Sequence, residues 1–236
     1  MPEDPGVFLN YLVALLETGR AERVHALTIE DNPLETARNL VIRSQALTLM
    51  DRPDEARQTL ELAADVVETE EVTWLDQVLA RMGATELRIR LYERFLDDPL
   101  LRIGAVGELF GLYYTAGREN EILGLLREVS LDDLEPLPNT LIDVLYYKLL
   151  FRSDLDAARA RAEKKIAEYP TIIDFRVLTA MAYTLSGQAE AGLALLENWE
   201  QIDFANRRSL RIMMAAILRG ADRIDEARQM VEPLEP

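Results

Sequence analysis

The chain has 236 residues, 49% of them apolar, and a formal net charge of −16. That composition is rich enough for a substantial core and excludes a disordered chain, while the acid surplus opposes phosphate backbones and anionic membranes. Zero cysteines exclude disulfides, thiolate catalysis and sulfur-ligated zinc.

The chain opens MPEDPGVFLNYL, acidic where a secretory leader would be basic, and no apolar run reaches the roughly 18 residues a membrane span requires. A cytoplasmic location is expected; a periplasmic one is the alternative if a leader has been removed. The first joint is Gly19 in YLVALLETGRAERVHAL, with apolar helical spacing on both sides. Asn32-Pro33 followed by Glu35 is patterned as a helix start, opening an apolar-periodic segment from Leu34 to Met50. That segment ends at DRPDEARQ, Asp51 to Gln58, after which Ala56, Leu60, Ala63 and Val67 recur on one helical face.

Further joints are expected at Gly83, Gly117, Ser153 and Gly187. The last, DRIDEARQ from Asp222 to Gln229, repeats the earlier octet at seven of eight positions, 171 residues on. The seven turn signals are spaced 32, 32, 34, 36, 34 and 35 residues apart. A steady period near 34 predicts an all-α chain, an α-solenoid of about seven antiparallel helix–turn–helix hairpins. The link VSLDDLEPLPNT, 129–140, carries two prolines and is read either as a bend between hairpins 1–4 and 5–7 or as a long inter-repeat loop. In both readings 1–236 form a single solenoid domain.

In this respect the sequence resembles the tetratricopeptide repeat family over nearly its full length. The resemblance implies a right-handed superhelix, with small residues where the helices of a hairpin cross. Ser44 with Ala56, Ala180 with Gly192 and Ala215 with Ala227 supply such pairs, each 12 residues apart, and Pro170 matches the proline that closes a repeat. Leu12 with Val24, Phe110 with Ile122, and Tyr146 with Ala158 depart from the pattern, and the third hairpin around Gly83 has no assigned pair.

Little in the sequence points to catalysis. The single histidine, His25, has no cysteine to join it and no acid at four-residue spacing, and is expected on the surface or half-buried. The acid runs at Glu68–Glu71, Asp97-Asp98 and Asp132-Asp133 fall at helix ends or loops, where carboxylates cap helices. No phosphate-binding glycine loop and no nucleophile elbow occur. No metal, cofactor or enzymatic activity is therefore expected. Gly104, Gly107 and Gly111 line one face of a helix and imply either close packing against a neighbour or a bare surface for a ligand.

By the resemblance, the first helix of each hairpin lines a concave binding face. That register selects Leu9, Val13, Val41, Gln45, Thr73, Gln77, Gly107, Gly111, Tyr114, Asp143, Tyr147, Phe151, Val177, Met181, Leu185, Ile212 and Ala216. Relatives that grip chaperone C-terminal tails carry lysine and asparagine there; Leu9, Val13, Val41, Gln45, Thr73 and Gln77 occupy the matching positions, so that clamp is lacking. Gln45, Gln77, Gly107, Gly111, Tyr114, Tyr147, Phe151, Met181 and Leu185 are the candidate contacts for a peptide or partner helix. The functional expectation is a protein-interaction scaffold. The alternatives are an accessory region of a larger protein and, more distantly, a carboxylate-based enzyme on a helical scaffold. The apolar C-terminal hairpin implies either a homodimer through that end or a continuation of the chain.

Overall fold

A computed structural model describes residues 4–30, 36–134, 138–196 and 208–231. Among them are fourteen α-helices and no strand. The chain divides into two compact units, Met1–Ala116 and Gly117–Pro236.

The first unit holds α1 (Pro5–Glu17), α2 (Ala21–Glu30), α3 (Ala37–Leu49), α4 (Pro53–Val66), α5 (Val72–Arg81), α6 (Thr85–Arg94) and α7 (Arg102–Thr115). Local chemistry sets several of these starts. Asp4 accepts from the Gly6 and Val7 amides at 2.8 and 3.0 Å, with Pro5 in the first turn of α1. The predicted start at Asn32-Pro33 lies outside the described residues, and α3 begins at Ala37 behind Thr36, whose hydroxyl accepts from the Asn39 amide. The acid run at 68–71 forms a 3-10 turn, Thr69–Glu71, and Glu71 pairs with Arg38 at 2.6 Å. Asp98 accepts from the Leu100 and Leu101 amides ahead of α7.

The second unit holds α8 (Glu119–Glu128), α9 (Pro138–Leu150), α10 (Leu155–Glu168), α11 (Ile173–Leu185), α12 (Ala189–Ala194), α13 (Arg208–Gly220) and α14 (Ile224–Val231). The described part of the long link, 129–134, is non-helical, and α9 takes Pro138 as its first residue.

The turns repeat one device. A residue with positive φ follows α1, α3, α5, α7, α9, α11 and α13: Gly19, Asp51, Gly83, Gly117, Arg152, Gly187 and Asp222. At six of them the next amide reaches back five residues, as from Arg20 to the Leu15 carbonyl or Arg223 to the Leu218 carbonyl, both 2.9 Å. This is the Schellman closure, and its left-handed position explains the glycines. Ser153 was the expected fifth turn residue; instead Arg152 and Asp154 take positive φ on either side of it. The reason is length. The fifth turn has four residues between helices where the six others have three.

Packing is local in chain order. Within the first unit α1 packs on α2 and α3, α3 on α4, α4 on α6, and α6 on α5 and α7; within the second, α9 meets α8, α10 and α11, and α13 meets α11, α12 and α14. Each helix thus meets helices one or two positions along the chain. Leu12, Leu40, Leu75, Leu79 and Leu109 are fully buried in one unit, and Leu141, Leu145, Phe175, Met214 and Leu218 in the other. Each contributes about 1.5–3 kcal/mol by leaving water.

The crossings follow the 12-residue register. Ala180 and Gly192 approach so closely that a Cβ on Gly192 would lie 2.5 Å from the Ala180 carbonyl oxygen. Ser44, Ala56 and Ala227 are buried, as are the bulkier Leu12, Val24, Phe110 and Ile122. The pair missing from the third joint is Asp76 with Arg88. Its place is taken by a bidentate ion pair, Arg88 Nε and Nη2 donating to the two Asp76 oxygens at 2.6 and 3.1 Å.

Candidate functional site

The nine candidate contacts fall into two groups, one in each unit. Gln45 on α3, Gln77 on α5, and Gly111 and Tyr114 on α7 are exposed, with Gly107 half-buried. Tyr147 and Met181 lie inside α9 and α11, which pack on each other; Phe151 and Leu185 stand at the ends of those helices, and all four are half-buried. Tyr147 meets Tyr146 edge to face, ring centres 5.1 Å apart. Two other positions on the projected face, Val41 and Val177, are buried. On an amphipathic helix a one-position change moves a residue by 100°, so a face drawn from spacing alone picks up core residues at its margin.

The glycine row has a definite environment. A Cβ at Gly104 or Gly111 would meet nothing within 4 Å. Close packing against a neighbouring helix is therefore not the reason for these two glycines. They leave part of α7 bare, and Tyr114, 56% exposed, stands at the end of that strip.

Two clusters of ionisable groups were not visible as such in the sequence. In the first, Asp76 is held by Arg88, with Tyr92 hydrogen-bonded to Asp76 and Glu108 3.8 Å from Arg88. The hydrogen bond that Arg88 donates to Asp76 raises its guanidinium above its ordinary value, and burial, then the Asp76 charge, push the Tyr92 phenol up. At neutral pH the Arg88 guanidinium and the Tyr92 phenol both stay protonated and act as hydrogen-bond donors. The signal was there to read: opposite charges at the 12-residue crossing spacing.

In the second cluster His25 is half-buried beside Arg52, whose guanidinium lies 3.3 Å from Nε2, while Nδ1 is buried without a hydrogen-bond partner. Burial first, then the charges of Arg52 and Arg43, lower the imidazole below its usual pKa, and Glu55 opposes the shift. Among the described residues no three histidine or acidic side chains converge to hold a metal ion, and no helix is long and apolar enough to cross a membrane. An open cavity of about 470 Å³ in the second unit is lined by Asp143 and Asp174 with Asn139 and Thr171.

The sequence matches no protein-family model, and no curated protein or solved structure is detectably similar to it.

Proposed function

We propose that the chain is a tetratricopeptide-like α-solenoid of seven helical hairpins that serves as a protein-interaction scaffold, binding a peptide or partner helix on the face formed by the first helix of each hairpin. Support for the solenoid comes from the contact pattern: helices pack on neighbours one or two positions along, as expected when stability is a sum of adjacent interfaces. The seven positive-φ turns at near-constant spacing support the same reading.

The observation that carries the binding role is the bare strip on α7. Helical glycines each cost about 1 kcal/mol relative to alanine, and no packing requirement offsets that cost at Gly104 or Gly111. Room for a ligand backbone does. Tyr114 beside it supplies an exposed aromatic anchor of the kind that dominates binding energy. We assign the protein to a reducing cytoplasm, consistent with zero cysteines.

The test is affinity capture from cell extract with the intact protein, a Tyr114→Ala variant, and a Leu100→Ala control at an exposed loop position. Partners held by the wild type and the control but lost by Tyr114→Ala support the reading. Identical captured sets from all three contradict it. The carboxylate-enzyme alternative would rest on the open cavity that Asp143 and Asp174 line. A hydrolytic activity abolished by Asp143→Asn or Asp174→Asn would establish that second reading. The accessory-region alternative differs only in what lies beyond these residues.

A further inference from the structure

The fifth turn of the chain differs from the six others in a way that builds a polar cavity. Counted by the carbonyl that accepts the turn-closing amide, Leu15, Leu47, Leu79 and Leu218 are all buried and apolar. The equivalent in the fifth pair is Lys148, 5% exposed. Its ammonium donates to the Leu126 carbonyl at 3.1 Å, near the C-terminal end of α8. No carboxylate among the described residues pairs with it. A carbonyl satisfies one of three protons and leaves a buried charge without a counter-ion, an arrangement costly unless an anion joins it.

The surroundings are suited to such an anion. Lys148 lines an open cavity of about 460 Å³ together with Ser153, Ala157 in the first turn of α10, and Arg127. The N-cap of α10, Asp154, has left-handed backbone geometry and makes no side-chain cap hydrogen bond. The amides of that first turn are therefore not satisfied by their own cap, and the positive end of a 14-residue helix faces the cavity wall. The carboxylates in the wall are Asp132 and Asp154; Arg161 engages Asp132 and also donates to the Leu131 carbonyl. That leaves Lys148 and Arg127 against the single carboxylate of Asp154, so the lining is net positive.

We propose that this cavity binds a phosphate group, with Lys148 as its buried counter-ion, Arg127 at the rim and the α10 amides and Ser153 as hydrogen-bond donors. The turn leading into α10, Phe151 to Asp154, has one residue more than the three-residue closure used at the other joints. This site is separate from the proposed interaction face and stands whether or not that reading holds.

Isothermal titration calorimetry with inorganic phosphate on the 236-residue protein, in chloride buffer at constant ionic strength, is the test. A phosphoserine titration forms a second arm. The wild type is expected to bind phosphate saturably at one site. Lys148→Met should weaken binding at least tenfold without lowering the thermal midpoint, because it removes an uncompensated buried charge. Arg127→Gln, at an exposed position, should weaken it severalfold with unchanged helicity, and remains informative if Lys148→Met does not fold. Binding of phosphoserine as tight as phosphate identifies a phosphorylated side chain as the source; binding of phosphate alone identifies the free ion. The proposal is overturned if the wild type binds neither, or if Lys148→Met or Arg127→Gln binds phosphate as tightly as the wild type.

Discussion

The octets Asp51–Gln58 and Asp222–Gln229 adopt the same local structure in two different settings. In both, the aspartate has φ 58°, the arginine closes a Schellman turn, and its guanidinium forks onto the glutamate three residues later, Nε to Oε1 at 2.6 Å. Their outer faces differ. Ser44, Thr48, Ala56, Arg57 and Leu60 share a groove with Met82–Leu87 of the next turn and helix. The equivalent residues 171 positions on, Ala215, Arg219, Ala227, Arg228 and Val231, line an open groove with no following helix among the described residues. The octet thus encodes its joint and nothing of what packs beyond it. Near-identical sequence fixes the turn; the neighbouring repeat fixes the energetics.

Substitution at the crossing should separate the two copies most. Ala56 is 4% exposed where α3 and α4 meet, with α6 also packed on α4. Ala56→Leu should overpack this contact and cost about 1–3 kcal/mol in a chemical-denaturation measurement. Ala227→Leu should cost less, because its groove is open on the outer side. Equal losses would mean that the neighbouring helix adds nothing.

The open groove also bears on assembly. Ile212 and Ile224 are 40% and 44% exposed on α13 and α14. We expect a second copy to dock there, giving concentration-dependent mass in light scattering that Ile224→Glu abolishes. A wild type that stays monomeric across the range would show that this face needs no partner copy.

A smaller contrast lies in the crossing partner. Ser44 carries a buried hydroxyl without a hydrogen-bond partner, and its counterpart is Ala215. Ser44→Ala makes the first copy like the second, and should stabilise it by about 1 kcal/mol by removing an unsatisfied polar group. An unchanged or lowered midpoint would show that the hydroxyl is satisfied in solution.

Only the first copy sits beside a histidine. Because the folded His25 pKa lies below the ordinary value near 6.5, the unfolded chain binds the proton more readily. Its contribution to stability is present above about pH 6.5 and lost as pH falls through that value toward the folded pKa. His25→Gln should flatten this small slope in midpoint-versus-pH curves, and an unaltered slope would exclude His25 as its source.

Much of this architecture was legible because it rests on local chemistry. Six of the seven turn residues were identifiable from glycine or aspartate at repeating positions, since a left-handed C-terminal residue leaves a strong sequence signature. Arg152 was not, because an arginine with positive φ has no such signature and the extra turn residue shifts the register. The Asp76–Arg88 crossing escaped because small residues were sought where an ion pair fulfils the same geometry. For the glycines of α7, spacing located the face but not what lies opposite it; solvent at Gly104 and Gly111 is a tertiary fact. The candidate face was readable as a set of helices, while its boundary with the core, at Val41 and Val177, was not. Lys148 did carry a signal, a charge where Leu15, Leu47, Leu79 and Leu218 are apolar, but only once the turns had aligned the repeats.

The central claim is that stability is local, each helix pair depending on its neighbours. Hydrogen exchange followed by mass spectrometry on wild type and Ala56→Leu tests it most directly, because protection is read helix by helix. We predict lost protection confined to α2–α6, with α9–α14 exchanging as in the wild type. Uniform loss of protection across all fourteen helices would mean one cooperative globule and would contradict the repeat account.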